Sequence, residues 1–297
     1  MEFNDDAGLD TSQISDKRGI GGGIALGGGG LGVIGVIIYF VISQFSGGGG
    51  DASSGLGGFD LGQNEQVGAS SLADRCRTGA DANRDADCRA VAFINSIQGY
   101  WSGQLDGYQV AETNFFSGGV QTGCGNADSA TGPFYCPADS EVYIDLTFFT
   151  ELHDRFGAQG GPFVEGYVLA HEYGHHVQHL VGTSDKVGQS AGAESGSVRL
   201  ELQADCYAGA WANHATTAPG ASGKPLITQV TQDDVAAALD AAAHIGDDFI
   251  QKELGGGKVD TTQFTHGTSA QRQKWFSTGY RSGDPQQCDT FNTNDLG

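Results

Sequence analysis

The clearest periodic signal lies at residues 161–182, GPFVEGYVLAHEYGHHVQHLVG. Phe163, Val164, Tyr167, Val168, Leu169, Val177 and Leu180 recur at helical spacing and make an apolar face. Pro162 suits a first helical position and Gly182 the residue just past the end. The pattern predicts one helix of about twenty residues with its apolar side in the core. Residues 84–103 read as a second helix, because Val91, Ile94 and Ile97 are three apart and Trp101 continues the face. Residues 194–215 read as a third. Thr231 with Asp234 and Thr268 with Gln271 are capping-box pairs, which open two more helices. The first of these runs through alanine-rich residues 236–243 and the second through Trp275 and Phe276. Residues 109–116 and 141–149 read as strands. In the second, Val142, Ile144 and Leu146 alternate with Tyr143, Asp145 and Thr147. It is either an ordinary core strand or one that lines a cleft and pairs with an extended peptide. The expected class is α+β, mainly helical, with a small antiparallel sheet.

The first seventy residues have a different character. Residues 1–19 are polar and acidic and show no apolar period, which predicts a disordered tail. Residues 20–45 carry no charge and are strongly apolar from 31 to 42. A stretch of about 26 such residues is long enough to span a bilayer as one helix. Lys17 and Arg18 precede it, and the next basic residue is Arg75. The positive-inside rule then puts the N-terminus in the cytoplasm and everything after residue 46 outside. No small-residue cleavage site follows the apolar run, which argues against a signal peptide. The expected organisation is a cytoplasmic tail at 1–19, a transmembrane anchor at 20–46 and a flexible Gly/Ser linker at 47–70. An extracytoplasmic domain at 71–297 completes a single-pass cell-membrane protein.

Composition sharpens this picture. The 297 residues include 15 basic and 36 acidic side chains, a net charge of -21. That argues against nucleic acid or an anionic membrane surface as a partner. All six cysteines follow the apolar stretch and none form a C-x-x-C pair, so disulfides in an oxidising compartment are expected. The expected pairs are Cys76–Cys88 and Cys124–Cys136, each closing a short turn-rich segment, and Cys206–Cys288, tying a helix to the C-terminal region.

Candidate chemistry centres on His171-Glu172-Tyr173-Gly174-His175. Residues four apart share a helix face, so His171 and His175 can bind one zinc ion. Glu172 points about 100° away, where it can reach a water on the metal and act as general base. A catalytic zinc needs a third protein ligand. Val181 stands where metzincins carry a third histidine, and His179 is two turns from His171. His176 points to another face, so both extra histidines are expected at the surface or behind the ligands. Glu201, on a helix able to fold back against the first, is the expected third ligand, with Glu194 as its rival. Asp205, one turn beyond Glu201, is expected to accept the second ring N–H of His171 or His175. Candidates for an oxyanion donor are His266, Tyr207 and Arg272, whereas His244 and His266 also fit structural roles.

Four segments in one order, HEYGHHVQ, ELQADCYAGAWA, IGDDFIQ and FTHGTSAQRQKWFSTGYRSGDPQQCDTF, resemble the bacterial membrane-anchored neutral zinc metallopeptidases of the YpfJ type. The likeness covers about residues 70–291 and the Gly-rich apolar N-terminus. It implies a zincin-like domain with His171, His175 and Glu201 on zinc and Glu172 as base. The Glu201–Asp205 arrangement also resembles gluzincins. An aliphatic residue is commoner in the family where Tyr173 stands, a difference expected to bear on the cleft wall. The implied activity is hydrolysis of protein or peptide substrates. Two alternatives stand beside it: a membrane-tethered interaction module with a structural zinc, and a zinc hydrolase of non-peptide amides.

Overall fold

The computed structural model describes residues 1–18, 71–187 and 191–297. In chain order its principal elements begin with β1 (Glu2–Phe3), β2 (Ile14–Asp16), α1 (Ala86–Gln104) and β3 (Thr113–Phe115). A strand-rich stretch follows, with β4 (Gly119–Thr122), β5 (Gly125–Asp128), β6 (Phe134–Cys136) and β7 (Glu141–Ile144). Then come α2 (Phe148–Asp154), α3 (Pro162–Leu180), α4 (Gly196–His214), β8 (Ile227–Gln229), α5 (Gln232–His244) and α6 (Ser269–Ser282). The class is α+β and mainly helical. The five helices expected among the described residues are present, and both capping boxes form at Thr231 and Thr268.

The strands depart from expectation. The main sheet has the order β2-β3-β7-β6 and is mixed, with β3 parallel to both β2 and β7 and only β6 antiparallel to β7. The alternating run predicted at 141–149 stops at Ile144. Asp145 accepts hydrogen bonds from the backbone and hydroxyl of Thr147, and the chain turns into α2 at Phe148. β7 is an inner strand, so it cannot pair with a peptide. The edge strand on that side is β6.

Helix packing follows from small residues. α4 packs against α3 on one side and α6 on the other, and α1 packs on α3. At the α4–α6 crossing Gly209 meets Gly279. A Cβ at Gly209 would lie 2.1 Å from the Phe276 carbonyl oxygen, and one at Gly279 would lie 1.9 Å from that of Cys206. At the α3–α4 crossing Gly174 sits against Ala204, where a Cβ would lie a tight 3.0 Å from the Ala204 Cα. Phe93, Phe163 and Trp211 fill the centre, with Phe163 and Trp211 stacked at 5.7 Å.

Residues 1–18 are not a disordered tail. β1 pairs antiparallel with β8, and β2 adds a parallel edge strand to β3. Phe3 is buried edge-on to Phe93, with ring centres 5.2 Å apart. Arg18 bridges Asp16 and Asp87. Strands of two and three residues are too short to show a period, and their partners lie far along the chain. The anchor expected at 20–46 and the linker expected at 47–70 lie outside the described residues. Among the described residues no helix is long and apolar enough to cross a membrane.

All three expected disulfides are present: Cys76–Cys88, Cys124–Cys136 and Cys206–Cys288.

Two predictions follow from this packing. Gly279→Ala forces α4 and α6 apart, and should cost about 3 kcal/mol and lower the melting temperature by roughly 10 °C. Calorimetry checks it, and an unchanged melting temperature would refute the close crossing. The second concerns pH. The hydrogen bonds from Arg18 hold the Asp16 carboxyl below its usual value. At Asp87, burial pushes the other way but Arg18 and Arg75 outweigh it, so that carboxyl is also lowered. A depressed folded-state pKa gives stability that is present above the unfolded value and lost as pH falls through the folded one. Arg18→Gln should therefore destabilise at about pH 7, and the difference from the parent should shrink below about pH 4. Parallel melts across that range test the sign.

Candidate metal centre

α3 and α4 run side by side and present the chemistry to one another. His171 and His175 are one turn apart on α3, and Glu201 faces them from α4. The Nε2 atoms of the two histidines are 3.2 Å apart. Glu201 places Oε2 3.1 Å from His171 Nε2 and Oε1 3.5 Å from His175 Nε2. Ligand atoms at about 2.1 Å from a tetrahedral ion lie about 3.4 Å from each other. The three distances therefore fit a zinc-sized divalent ion. Among the described residues no fourth His, Cys, Asp or Glu joins this trio. Glu194, the rival ligand, is exposed.

Each histidine is held from behind. His171 Nδ1 is 2.9 Å from Asp205 Oδ1. Asp205 is fully buried, accepting also from the Tyr167 hydroxyl at 2.7 Å and from Arg272 Nε at 2.8 Å and Nη2 at 3.0 Å. Of the two histidines, Asp205 therefore orients His171. The group behind His175 is Gln178, whose Oε1 lies 2.9 Å from His175 Nδ1. The Gln178 amide in turn donates to the Leu200 carbonyl at 2.7 Å and to Gln203 Oε1 at 3.2 Å. Sequence reasoning missed Gln178. Its spacing of three from His175 was the available signal.

His176 and His179 are not solvent-facing ornaments of the helix. His176 is buried, with Nε2 2.6 Å from the Gln109 carbonyl and Nδ1 3.1 Å from the Tyr135 hydroxyl. His179 Nδ1 is 2.7 Å from that same hydroxyl. Together they fasten edge strand β6 to α3. Tyr173 does not touch the cleft wall, because it is buried with its hydroxyl 2.7 Å from Thr113 Oγ1 on β3.

Beside the trio lies a cavity of about 240 Å³. Glu172, His266 and Arg272 share its polar side with the trio, while Phe134, Phe148, Phe156, Val168 and Ile250 make much of the rest. Burial pushes the Glu172 carboxyl up to about 7, with the Glu201 charge adding to the rise and His171 opposing it. Burial works against a charge on His171, but the carboxylate of Asp205, then its hydrogen bond and that of Glu201, outweigh it and raise the ring to about 10. His175 is lowered, chiefly by burial. Glu201 and Asp205 are both held below the usual carboxylate range. Burial alone would raise them, but His175 and His171 overcome it at Glu201, and Arg272 and His171 at Asp205.

His266 enters from the loop before α6. Its Nδ1 is 3.1 Å from Asp247 Oδ1. The other Asp247 oxygen accepts the backbone N–H groups of Thr265 at 2.8 Å, His266 at 2.7 Å and Gly267 at 3.0 Å. Burial disfavours a charge on His266, yet the Asp247 hydrogen bond and the Glu201 charge outweigh it and raise its pKa. The other two donor candidates fall away. Arg272 spends its donors on Asp205, Ile245 and Tyr167, and Tyr207 packs edge-on to Trp101 away from the cavity. His244 contacts the Asp240 carbonyl within its own helix.

The comparisons with known proteins agree with this chemistry. Residues 4–291 match the family described as "Putative neutral zinc metallopeptidase". The chain is 50% identical over 242 residues to uncharacterized protein Rv2575 of Mycobacterium tuberculosis, covering 81% of this chain and 78% of that one. It is 37% identical over 297 residues to uncharacterized protein YpfJ of Escherichia coli K12, covering 95% of this chain and 96% of that one. No solved structure matches the chain. With nearly its whole length matched, the chain belongs to the neutral zinc metallopeptidase family.

Proposed function

We propose that this protein hydrolyses peptide bonds at a zinc ion held by His171, His175 and Glu201. The observation that carries the reading is the three-ligand trio opening on a cavity that also holds Glu172 and His266. A structural zinc would be closed by a fourth protein ligand and would need neither of those side chains. Zinc at this site would lower the pKa of a coordinated water to about 7 and polarise the scissile carbonyl. The residues do the rest. Glu172, buried and with a carboxyl poised near neutrality, takes a proton from the attacking water and passes it to the leaving amine. His266, held in place by Asp247, which also raises its pKa, donates to the oxyanion. Asp205 and Gln178 fix the two ligand rings. The edge of β6 gives an extended peptide a strand to pair with, and the apolar wall takes its side chains.

This reading is gluzincin-like in its ligand set and zincin-like in its chemistry. Three disulfides support an oxidising compartment outside the cytoplasm. The apolar run at 31–42 supports attachment to the membrane.

Four variants measured side by side for zinc content and peptide turnover test the assignment. Glu172→Gln should keep about one zinc per chain and lose at least ~100-fold in turnover. Glu201→Ala should lose both, and full zinc retention would remove Glu201 from the ligand set. Asp205→Asn should weaken zinc binding ~10–100-fold. It should also cost stability, about 3 kcal/mol, because Arg272 is left buried without its carboxylate. His266→Gln should keep its zinc and lose roughly 100-fold in kcat, and wild-type turnover would exclude it as the oxyanion donor.

A further inference from the structure

We infer that the first eighteen residues are a built-in part of the hydrolase domain and lie in the same compartment as it. The domain has a fitted groove for them. Asn95 on α1 is buried, and every hydrogen bond of its side chain goes to the arm: it accepts from the Asp10 backbone at 2.8 Å and donates to the Asp10 carbonyl and to Gln13 Oε1, both at 2.9 Å. Gln98, one turn on, donates to the same Gln13 oxygen at 3.0 Å. Asn83 clasps Phe3 by accepting from its N–H at 3.0 Å and donating to its carbonyl at 3.1 Å. At Gly79 a Cβ would lie 2.0 Å from the Asn4 carbonyl oxygen, so the floor of the groove admits the arm only because that side chain is missing. Phe3 plugs the core cluster of Phe93, Phe163 and Trp211. Removing the arm would leave Asn95 unsatisfied and expose this aromatic centre.

The two cations that gave the chain its expected orientation are spent on the same contact. Arg18 makes paired hydrogen bonds to Asp87 at 2.9 and 2.8 Å. Lys17 stands over the ring of Tyr143, 5.5 Å from its centre. They are ligands of the domain, so the positive-inside argument has lost its charges. Strand pairing of β1 with β8 and of β2 with β3 also needs backbones about 4.8 Å apart, whereas a bilayer core would part them by about 30 Å. Residues 18 and 71 therefore lie on the same side of any bilayer. A single crossing by residues 20–46, with a cytoplasmic N-terminus and an outside domain, is incompatible with this docking. The family match begins at residue 4, within the arm.

The test uses the full chain in bacterial cells. Asp6→Cys in the arm and Ser282→Cys in the domain are both exposed positions. Each variant is treated with a membrane-impermeant maleimide before and after permeabilisation. The expected result is that both label in intact cells. Labelling of both only after permeabilisation keeps arm and domain together and supports the inference, with the compartment reassigned. Labelling of one before and the other only after overturns it. So does a mature chain that begins beyond residue 18. Independently, Phe3→Ala in the purified full chain should lower the melting temperature by about 10 °C. Should it not fold, Phe3→Leu should give a smaller fall. An unchanged melting temperature in a folded Phe3→Ala protein would show a free arm and overturn the docking.

Discussion

The cost of burying charge governs this site. Glu172, Glu201 and Asp205 are all sheltered from solvent, the last completely, and Arg272 is the fully committed cation among them. Three buried carboxylates beside one guanidinium call for further positive charge, or for a carboxyl that holds its proton as Glu172 tends to. Without a metal, the demand shows as a proton held by His171, whose pKa is driven up to about 10. A divalent ion meets it more fully. Much of the surrounding architecture answers the same need. Arg272 reaches in from α6, Tyr167 supplies a hydroxyl, and the glycine-lined helix crossings bring the three elements near enough to do so.

What sequence could reveal depended on how local each signal was. The α3 helix and its His-Glu-x-x-His face were legible because spacing, ends and chemistry all lie within about twenty residues. Glu201 and Asp205 were legible through helix periodicity on a second element, and Glu194 dropped out only when exposure separated the two acids. The capping boxes marked two helix starts to the residue. Gln178 was hidden because a glutamine on a histidine-rich face carries no metal signature. Asp247 was hidden because its value lies in tying down a loop nearly twenty residues later.

The sheet and the arm were the least legible parts. β3 and β7 were found but placed too generously, since apolar alternation continued into a segment where Asp145 and Thr147 start a turn. Parallel pairing of β3 with both neighbours could not be read from runs of three or four residues. The N-terminal residues look disordered by composition, being acidic, polar and short. Their order is borrowed from groups far along the chain, from Arg77 to Asp234, and Phe3 is their largest buried side chain. Lys17 and Arg18 looked like free charges in the sequence, whereas in the structure Arg18 pairs with Asp87 and Lys17 stands over Tyr143.

A relay joins the C-terminal region to the candidate metal centre. The Cys288 carbonyl accepts from Gln203 Nε2 at 2.8 Å, Gln203 meets Gln178, and Gln178 meets the ring of His175. The Cys206–Cys288 bond holds the far end of this line across 82 residues. A ribosome must therefore translate well past the helix pair before the second histidine acquires its final support.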